Sequence, residues 1–199
     1  MVNLEYFSNF NVDNKPEFIK RFIFNPLFEA YNHLKLIEVI KNSDEVKINR
    51  EMYKYIRDFS SISKEVQKHI ISVNYKPKEV VGDEEHEPDL QFALPNCFNI
   101  FFEAKRMYRP DSYSKYCGES GLGRFLSGYY SSKDIDGGMI AYVQIGNILE
   151  AQEKIIGMVQ KIDFISLNRN IGINSTFLSV HKRLSNNNIK IYHIFFDLT

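Results

Sequence analysis

Along the middle of the chain, apolar and polar residues alternate with the two-residue period of a half-buried strand. From Glu87 to Leu94 the even positions Pro88, Leu90, Phe92 and Leu94 are apolar and the odd positions Glu87, Asp89 and Gln91 are polar. From Phe98 to Arg106 the even positions Phe98, Ile100, Phe102 and Ala104 are again apolar, while Asn99, Glu103 and Lys105 take odd places and Phe101 breaks the rule. Pro95, Asn96 and Cys97 between the two runs have turn chemistry, so the pattern predicts a β-hairpin. Opposed residues of an antiparallel pair share a face, and matching even with even pairs Leu94 with Phe98. That register sets Asp89 against Glu103.

Elsewhere the period is helical or the runs are short. Asn25-Pro26 reads as a helix start, and the helix runs to about Lys41 with Leu27, Ala30, Tyr31, Leu34 and Ile37 as its stripe. Glu38 falls within that stripe, an odd place for a carboxylate, and Glu29 lies on the opposite side. Glu51 to Asn74 reads as further helix with a break near Ser60-Ser61, and Lys76 to Val81 as a short strand or lead-in. Beyond the hairpin, Arg109-Pro110-Asp111 ends the strand and Gly118 to Tyr130 predicts a glycine-rich turn opening a helix. Then come a strand over Met139–Val143, a helix over Ile148–Ile162, and two strands over Thr176–His181 and Ile189–Leu198 joined through Asn186-Asn187-Asn188. The expected fold class is α/β, a central mixed sheet flanked by helices. One domain is expected over 1–199: a mainly helical part to 75, the active-site sheet and crossover helix over 76–145, and a helix with the extra C-terminal strands over 146–199.

Opposed side chains of a hairpin have Cβ atoms roughly 4.5 to 5.5 Å apart, where two like charges are destabilising unless a cation lies between them. Hard divalent ions take carboxylate oxygens, and magnesium is often held by one or two carboxylates with water and phosphate completing its shell. Lys105 projects from the same face as Glu103, so the face offers two anionic ligands beside one ammonium.

These residues resemble the PD-(D/E)XK, or restriction-endonuclease-like, nuclease superfamily. Pro88-Asp89 stands for its Pro-Asp, and Glu103-Ala104-Lys105 for the acid-any-Lys triplet on the following strand. The resemblance implies that Asp89 and Glu103 ligate magnesium or manganese, that Ala104 can add its backbone carbonyl, and that Lys105 assists the attacking water. It also implies a core of helix, three strands, helix and strand, and a further acid from the first helix, for which Glu38 is the candidate and Glu29 the second choice. The implied activity is phosphodiester hydrolysis, DNA ahead of RNA, in a restriction or genome-defence setting. Acid-any-Lys triplets also occur at Asp13-Asn14-Lys15 and Glu45-Val46-Lys47. Only Glu103-Ala104-Lys105 lies on an apolar strand with a Pro-Asp partner of matching parity.

Composition narrows the partners. The 25 basic and 25 acidic residues cancel, which argues against a protein that grips nucleic acid by bulk charge alone. Locally, an acidic run at Asp83, Glu84, Glu85, Glu87 and Asp89 precedes the hairpin, and Lys105, Arg106, Arg109, Lys115 and Arg124 follow it. Arg106, Arg109 and Arg124 are the candidate phosphate contacts, with a surface ion pair the alternative for Arg124. A homodimer or a partner protein is expected to supply the remaining grip. The start Met1-Val2-Asn3-Leu4-Glu5 has no leader pattern and no run is long enough to span a bilayer, so a cytoplasmic protein without membrane partner is expected. Cys97 and Cys117 read as free thiols. His193 within the last strand reads as a hydrogen-bonded interior group, and His181 with Arg183 as a possible phosphate contact. Two rival readings stand beside the nuclease: a non-catalytic nucleic-acid or assembly subunit on the same fold, and a protein-interaction module using Tyr108, Tyr113, Tyr116, Phe125, Tyr129 and Tyr130.

Overall fold

A computed structural model describes residues 7, 10, 12–81, 84–95, 97–130, 134–169, 171 and 175–199. Met1–Glu5, Asp83 of the acidic run and Asn96 of the hairpin turn lie outside the described residues.

The N-terminal part is helical. α1 (Lys15–Ile19) is capped by Asn14, whose side chain accepts from the Glu17 N–H. A π-helical stretch, Lys20–Phe24, leads into α2 (Asn25–Lys35). The predicted helix to Lys41 is shorter than expected. Ile37 adopts an extended conformation, and a separate turn, α3 (Glu38–Lys41), follows. The break turns Ile40 into the core while Leu36 stays in solvent, and it leaves Glu38 exposed rather than on a buried stripe. α4 (Glu45–Phe59) starts earlier than predicted because Asp44 caps it, Oδ1 accepting from the Lys47 N–H at 2.8 Å. After α5 (Ser63–Gln67), residues expected to continue the helix instead form strand β1 (Ser72–Tyr75).

The remaining strands are β2 (Glu79–Val81), β3 (Glu84–His86), β4 (Leu90–Leu94), β5 (Phe98–Met107), β6 (Asp136–Val143), β7 (Phe164–Asn168), β8 (Thr176–Lys182) and β9 (Asn188–Asp197). β2 and β3 pair only with each other, across the acidic run. The other seven form one mixed sheet in the order β1-β4-β5-β6-β9-β8-β7. β5, β6 and β9 are parallel neighbours and every other pairing is antiparallel. A parallel pair needs a crossover. Between β5 and β6 it is made by α6 (Ser112–Cys117) and α7 (Leu122–Leu126), and α8 (Ile148–Val159) follows β6.

Both faces of the sheet are covered, so the fold is α/β with a mixed central sheet between helices. Leu90, Phe92, Ile100, Phe102, Ala104, Ile140 and Tyr142 pack with Leu27, Ile48, Met52 and Ile56 of the N-terminal helices. Phe101, Met107, Met139, Ala141 and Phe195 face the other way, onto Tyr116, Leu122, Phe125 and Ile155. This second core explains Phe101, the one residue that broke the alternation. β6 is buried along its whole length, as a central parallel strand requires. Its Gly138 pairs with Phe102, whose ring would lie 2.1 Å from an added Cβ, so only glycine lets that ring pack down. Among the described residues no helix is long and apolar enough to cross a membrane.

Candidate metal centre

The hairpin register is the one the pleat predicts, Leu94 with Phe98 through Leu90 with Phe102. Beyond that last pair β4 leaves β5. The Asp89 N–H still donates to the Phe102 carbonyl at 3.0 Å, but Pro88 has no N–H and the ladder ends. The β5 edge past this point needs other partners, and two carboxylates supply them. Asp89 Oδ2 accepts from the Ala104 N–H at 2.8 Å, and Glu45 Oε2 accepts from the Arg106 N–H at 3.1 Å. Glu45 reaches this edge because it opens α4, whose apolar stripe is anchored in the first core.

Glu103 and Lys105 project from the same strand toward the second helical layer. Glu103 is 3 % exposed. Its Oε1 accepts from Lys105 Nζ at 2.6 Å and from Arg124 Nη1 at 3.0 Å. Its Oε2 is buried without a hydrogen-bond partner. Lys105 Nζ also stands 3.4 Å from Glu45 Oε1. Arg124 is held in place by Tyr130, whose hydroxyl accepts from Nη1 at 2.5 Å and donates to the Glu87 carbonyl at 3.0 Å.

Three carboxylates therefore share two cations, and two of the three, Asp89 and Glu45, have raised carboxyls. Burial pushes the Asp89 carboxyl up to about 7, the charge of Glu103 adds to the shift, and the Ala104 N–H opposes it. Burial likewise raises Glu45, against the pull of Lys105. For Lys105 burial acts downward, but Glu103 and Glu45 outweigh it and hold the ammonium above its usual range. Arg124 is raised in the same way by Glu103 against burial.

Among the described residues no group of three or more His, Cys, Asp or Glu gathers into a metal cage. Magnesium does not require one, since one or two carboxylates with water and phosphate suffice. The donor set fits such an ion: all oxygen, with the Glu103 Oε2 unsatisfied and the neighbouring Asp89 carboxyl pushed up to about 7 by burial and by the charge of Glu103. Softer metals are not invited, for Cys97 and Cys117 lie elsewhere as free thiols.

The residues named from the sequence separate into two groups. Asp89, Glu103, Ala104, Lys105 and Arg124 converge, and Arg106 adjoins them with its side chain turned to the Ser43 carbonyl at 3.3 Å. Arg109 is exposed and ion-paired with Asp111 at 2.6 Å. Glu38 is exposed in α3, with no hydrogen bond or ion pair to this cluster among the described residues, and Glu29 accepts the Ser61 N–H at 2.7 Å at the corner between α4 and α5. The acid that the N-terminal helices do bring is Glu45, set aside in the sequence as part of a chance triplet. The signal for it was Asp44 as a cap before Ile48, Met52 and Ile56, which places an acid in the first turn of a helix.

Beside the cluster opens a cleft of about 360 Å³ lined by Asp44, Glu45, Lys105, Arg106, Tyr108 and Lys115. A second hollow of about 520 Å³, lined by Ser120, Gly123, Arg124 and Tyr129, adjoins it at Ser120. The histidines of the C-terminal strands belong to neither. His193 Nδ1 meets the Tyr116 hydroxyl at 2.9 Å and its Nε2 meets Ser179 Oγ at 2.8 Å; Ser179 in turn meets His181 Nε2 at 2.8 Å. His181 and Arg183 are both buried, Arg183 donating to the Phe125 and Asp134 carbonyls, so they are interior groups and not a phosphate surface. No family model matches the chain, and comparison with curated proteins and with solved structures likewise finds no match.

Proposed function

We propose that this chain is a metal-dependent nuclease of the PD-(D/E)XK type, hydrolysing phosphodiester bonds, in DNA ahead of RNA. The observation that carries the reading is the buried, unpartnered Glu103 Oε2 next to an Asp89 whose carboxyl is raised to about 7. A buried acceptor left unpaired costs about 1–3 kcal/mol, more if charged, so a protein that keeps one in this position has a use for it. The element order supports the same reading: helix α4, the three antiparallel strands β1, β4 and β5, the helical crossover, then parallel β6.

Asp89 and Glu103 would hold magnesium or manganese, with the Ala104 carbonyl as the third protein oxygen and Glu45 from α4 as the further acid. The ion, when bound, polarises the phosphate and lowers the pKa of bound water. The chain's own groups do the rest. Lys105 Nζ, already aligned on Glu103, orients the attacking oxygen and offsets its negative charge. Arg106, with a guanidinium that no carboxylate claims among the described residues, holds a neighbouring phosphate. With no net charge to draw nucleic acid in, a second copy or a partner protein provides further grip; a restriction or defence setting is what the family resemblance implies.

The deciding experiment incubates purified protein with plasmid, linear duplex, single strands and RNA under magnesium, manganese or chelator. Cleavage should require the metal and vanish in Asp89→Ala while fold and most nucleic-acid affinity persist. Cleavage that survives chelation, or survives Asp89→Ala, overturns the assignment.

A further inference from the structure

We infer that the strand this site acts on is unpaired: the nucleotide beside the scissile phosphate enters the cleft between Glu45 and Lys115, its base stacking against Tyr108 and its phosphate taken by Arg106 and Lys115. The inference takes its chemistry from the nuclease reading and adds the substrate class.

Three observations carry it. First, the cleft is a recess of about 360 Å³, at the small end of the range for small-molecule pockets, roughly 300–1,000 Å³. A recess suits one nucleotide. Duplex DNA is read by elements that project into its grooves, the major one about 12 Å wide, and a hollow offers no such projection. Second, the lining combines cations with an aromatic plane. The Arg106 and Arg109 guanidiniums lie over the Tyr108 ring at 4.3 and 4.9 Å from its centroid, and Tyr108 is only partly buried. Arg109 is itself exposed, so a base can add to this stack or take the place of Arg109 over the ring. Single strands are held in this way, by stacking on aromatic and guanidinium planes beside a basic track. Third, the lining carries charges of both signs. Asp44 and Glu45 line the cleft together with Lys105, Arg106 and Lys115, so a phosphate entering it meets three cations beside the two acids.

Net charge points the same way. A duplex binder draws its affinity from many phosphate contacts and the counterions they release, whereas this chain has equal numbers of basic and acidic residues. One cleft with a stacking plane can hold an unpaired nucleotide without a broad basic surface.

The test measures binding apart from cleavage. Fluorescein-labelled oligonucleotides of one sequence, as single strand, duplex and splayed fork, are titrated with the full chain in chelator and followed by anisotropy. Single strand and fork should bind at least about tenfold more tightly than duplex. Tyr108→Ala should weaken strand binding roughly five- to a hundredfold, as loss of one stacked base does, and Tyr108→Phe should retain it. Arg106→Gln should weaken it as well, with circular dichroism confirming the fold of each variant. Duplex bound as tightly as single strand, no strand binding at all, or strand binding indifferent to Tyr108→Ala overturns the inference. Cleavage in magnesium separates the two ideas. Duplex and strand cut equally well in a Tyr108-independent manner would sink this inference and leave the nuclease standing. Strand bound through Tyr108 but never cut, with any metal, would sink the nuclease and leave the unpaired-strand site.

Discussion

Arg124 Nη1 stands 3.0 Å from Glu103 Oε1, the same oxygen that Lys105 Nζ holds at 2.6 Å, so one carboxylate oxygen has two cations and its twin has none. Removing a cation here should expose how much of the balance it carries. Arg124→Gln is expected to cost roughly 1–3 kcal/mol in urea unfolding, the worth of a hydrogen bond to a charged group. Added magnesium should restore a measurable part of that loss, because it supplies the missing charge. A variant as stable as the parent, with no response to magnesium, would mean that the pair is incidental.

The proton on Asp89 sets a pH dependence with a definite sign. Its carboxyl titrates near 7 in the folded chain and near the ordinary 3.8 when unfolded. Between those values the folded state binds more protons at this site, so the contribution of Asp89 to stability without metal should fall as pH rises from about 4 to about 7 and level off above. Metal affinity should do the reverse, rising through pH 7 as the proton leaves. Calorimetric titration of magnesium at several pH values reads this directly, and Asp89→Asn should weaken the dependence, leaving the part due to the raised Glu45.

Glu45 and Glu38 make a contrasting pair. Glu45→Gln alters the acid that meets Lys105 and the Arg106 N–H, and should lower metal affinity or cleavage roughly ten- to a hundredfold, as loss of a group orienting metal ligands does. Glu38→Gln, exposed in α3, should change neither. Equal behaviour of the two in a side-by-side metal titration would remove Glu45 from the site.

The buried histidines give a second pH effect, in the opposite direction. Burial holds His193 well below its ordinary value and lowers His181 too, so both are neutral inside the fold. The stability they contribute is present above the unfolded value of about 6.5 and is lost as pH falls below it. Ser179→Ala takes a partner from both imidazoles and should cost about 1–3 kcal/mol at pH 8. Urea midpoints at pH 5 and pH 8 for parent and variant check both statements.

How much of this was legible in the sequence varies with the kind of signal. The alternation over 87–94 and 98–106 was enough to register the hairpin, because a slip of one residue would have turned Phe92 and Phe102 to the wrong side. Phe101 was a clue to a second core that a one-sided sheet cannot explain. Glu38 was misplaced because periodicity continues smoothly past Leu36, while the chain itself breaks there to bury Ile40. α6 and β7 gave little signal: α6 is one short turn-and-a-half of mixed residues, and Phe164–Asn168 is an edge strand with a partly exposed, irregular pattern. The salt bridge of Lys15 with Asp136, which ties α1 to β6 across 121 positions, could be found only in three dimensions.

The turn at 95–97 thus works as a measuring rod for chemistry lying several residues away. Lengthening it by one residue would leave the hydrophobic content of the chain unchanged but rotate every side chain from Asp89 to Leu94 through half a turn of the pleat relative to β5. A one-residue insertion that would be harmless in most surface connections would here separate the two acids.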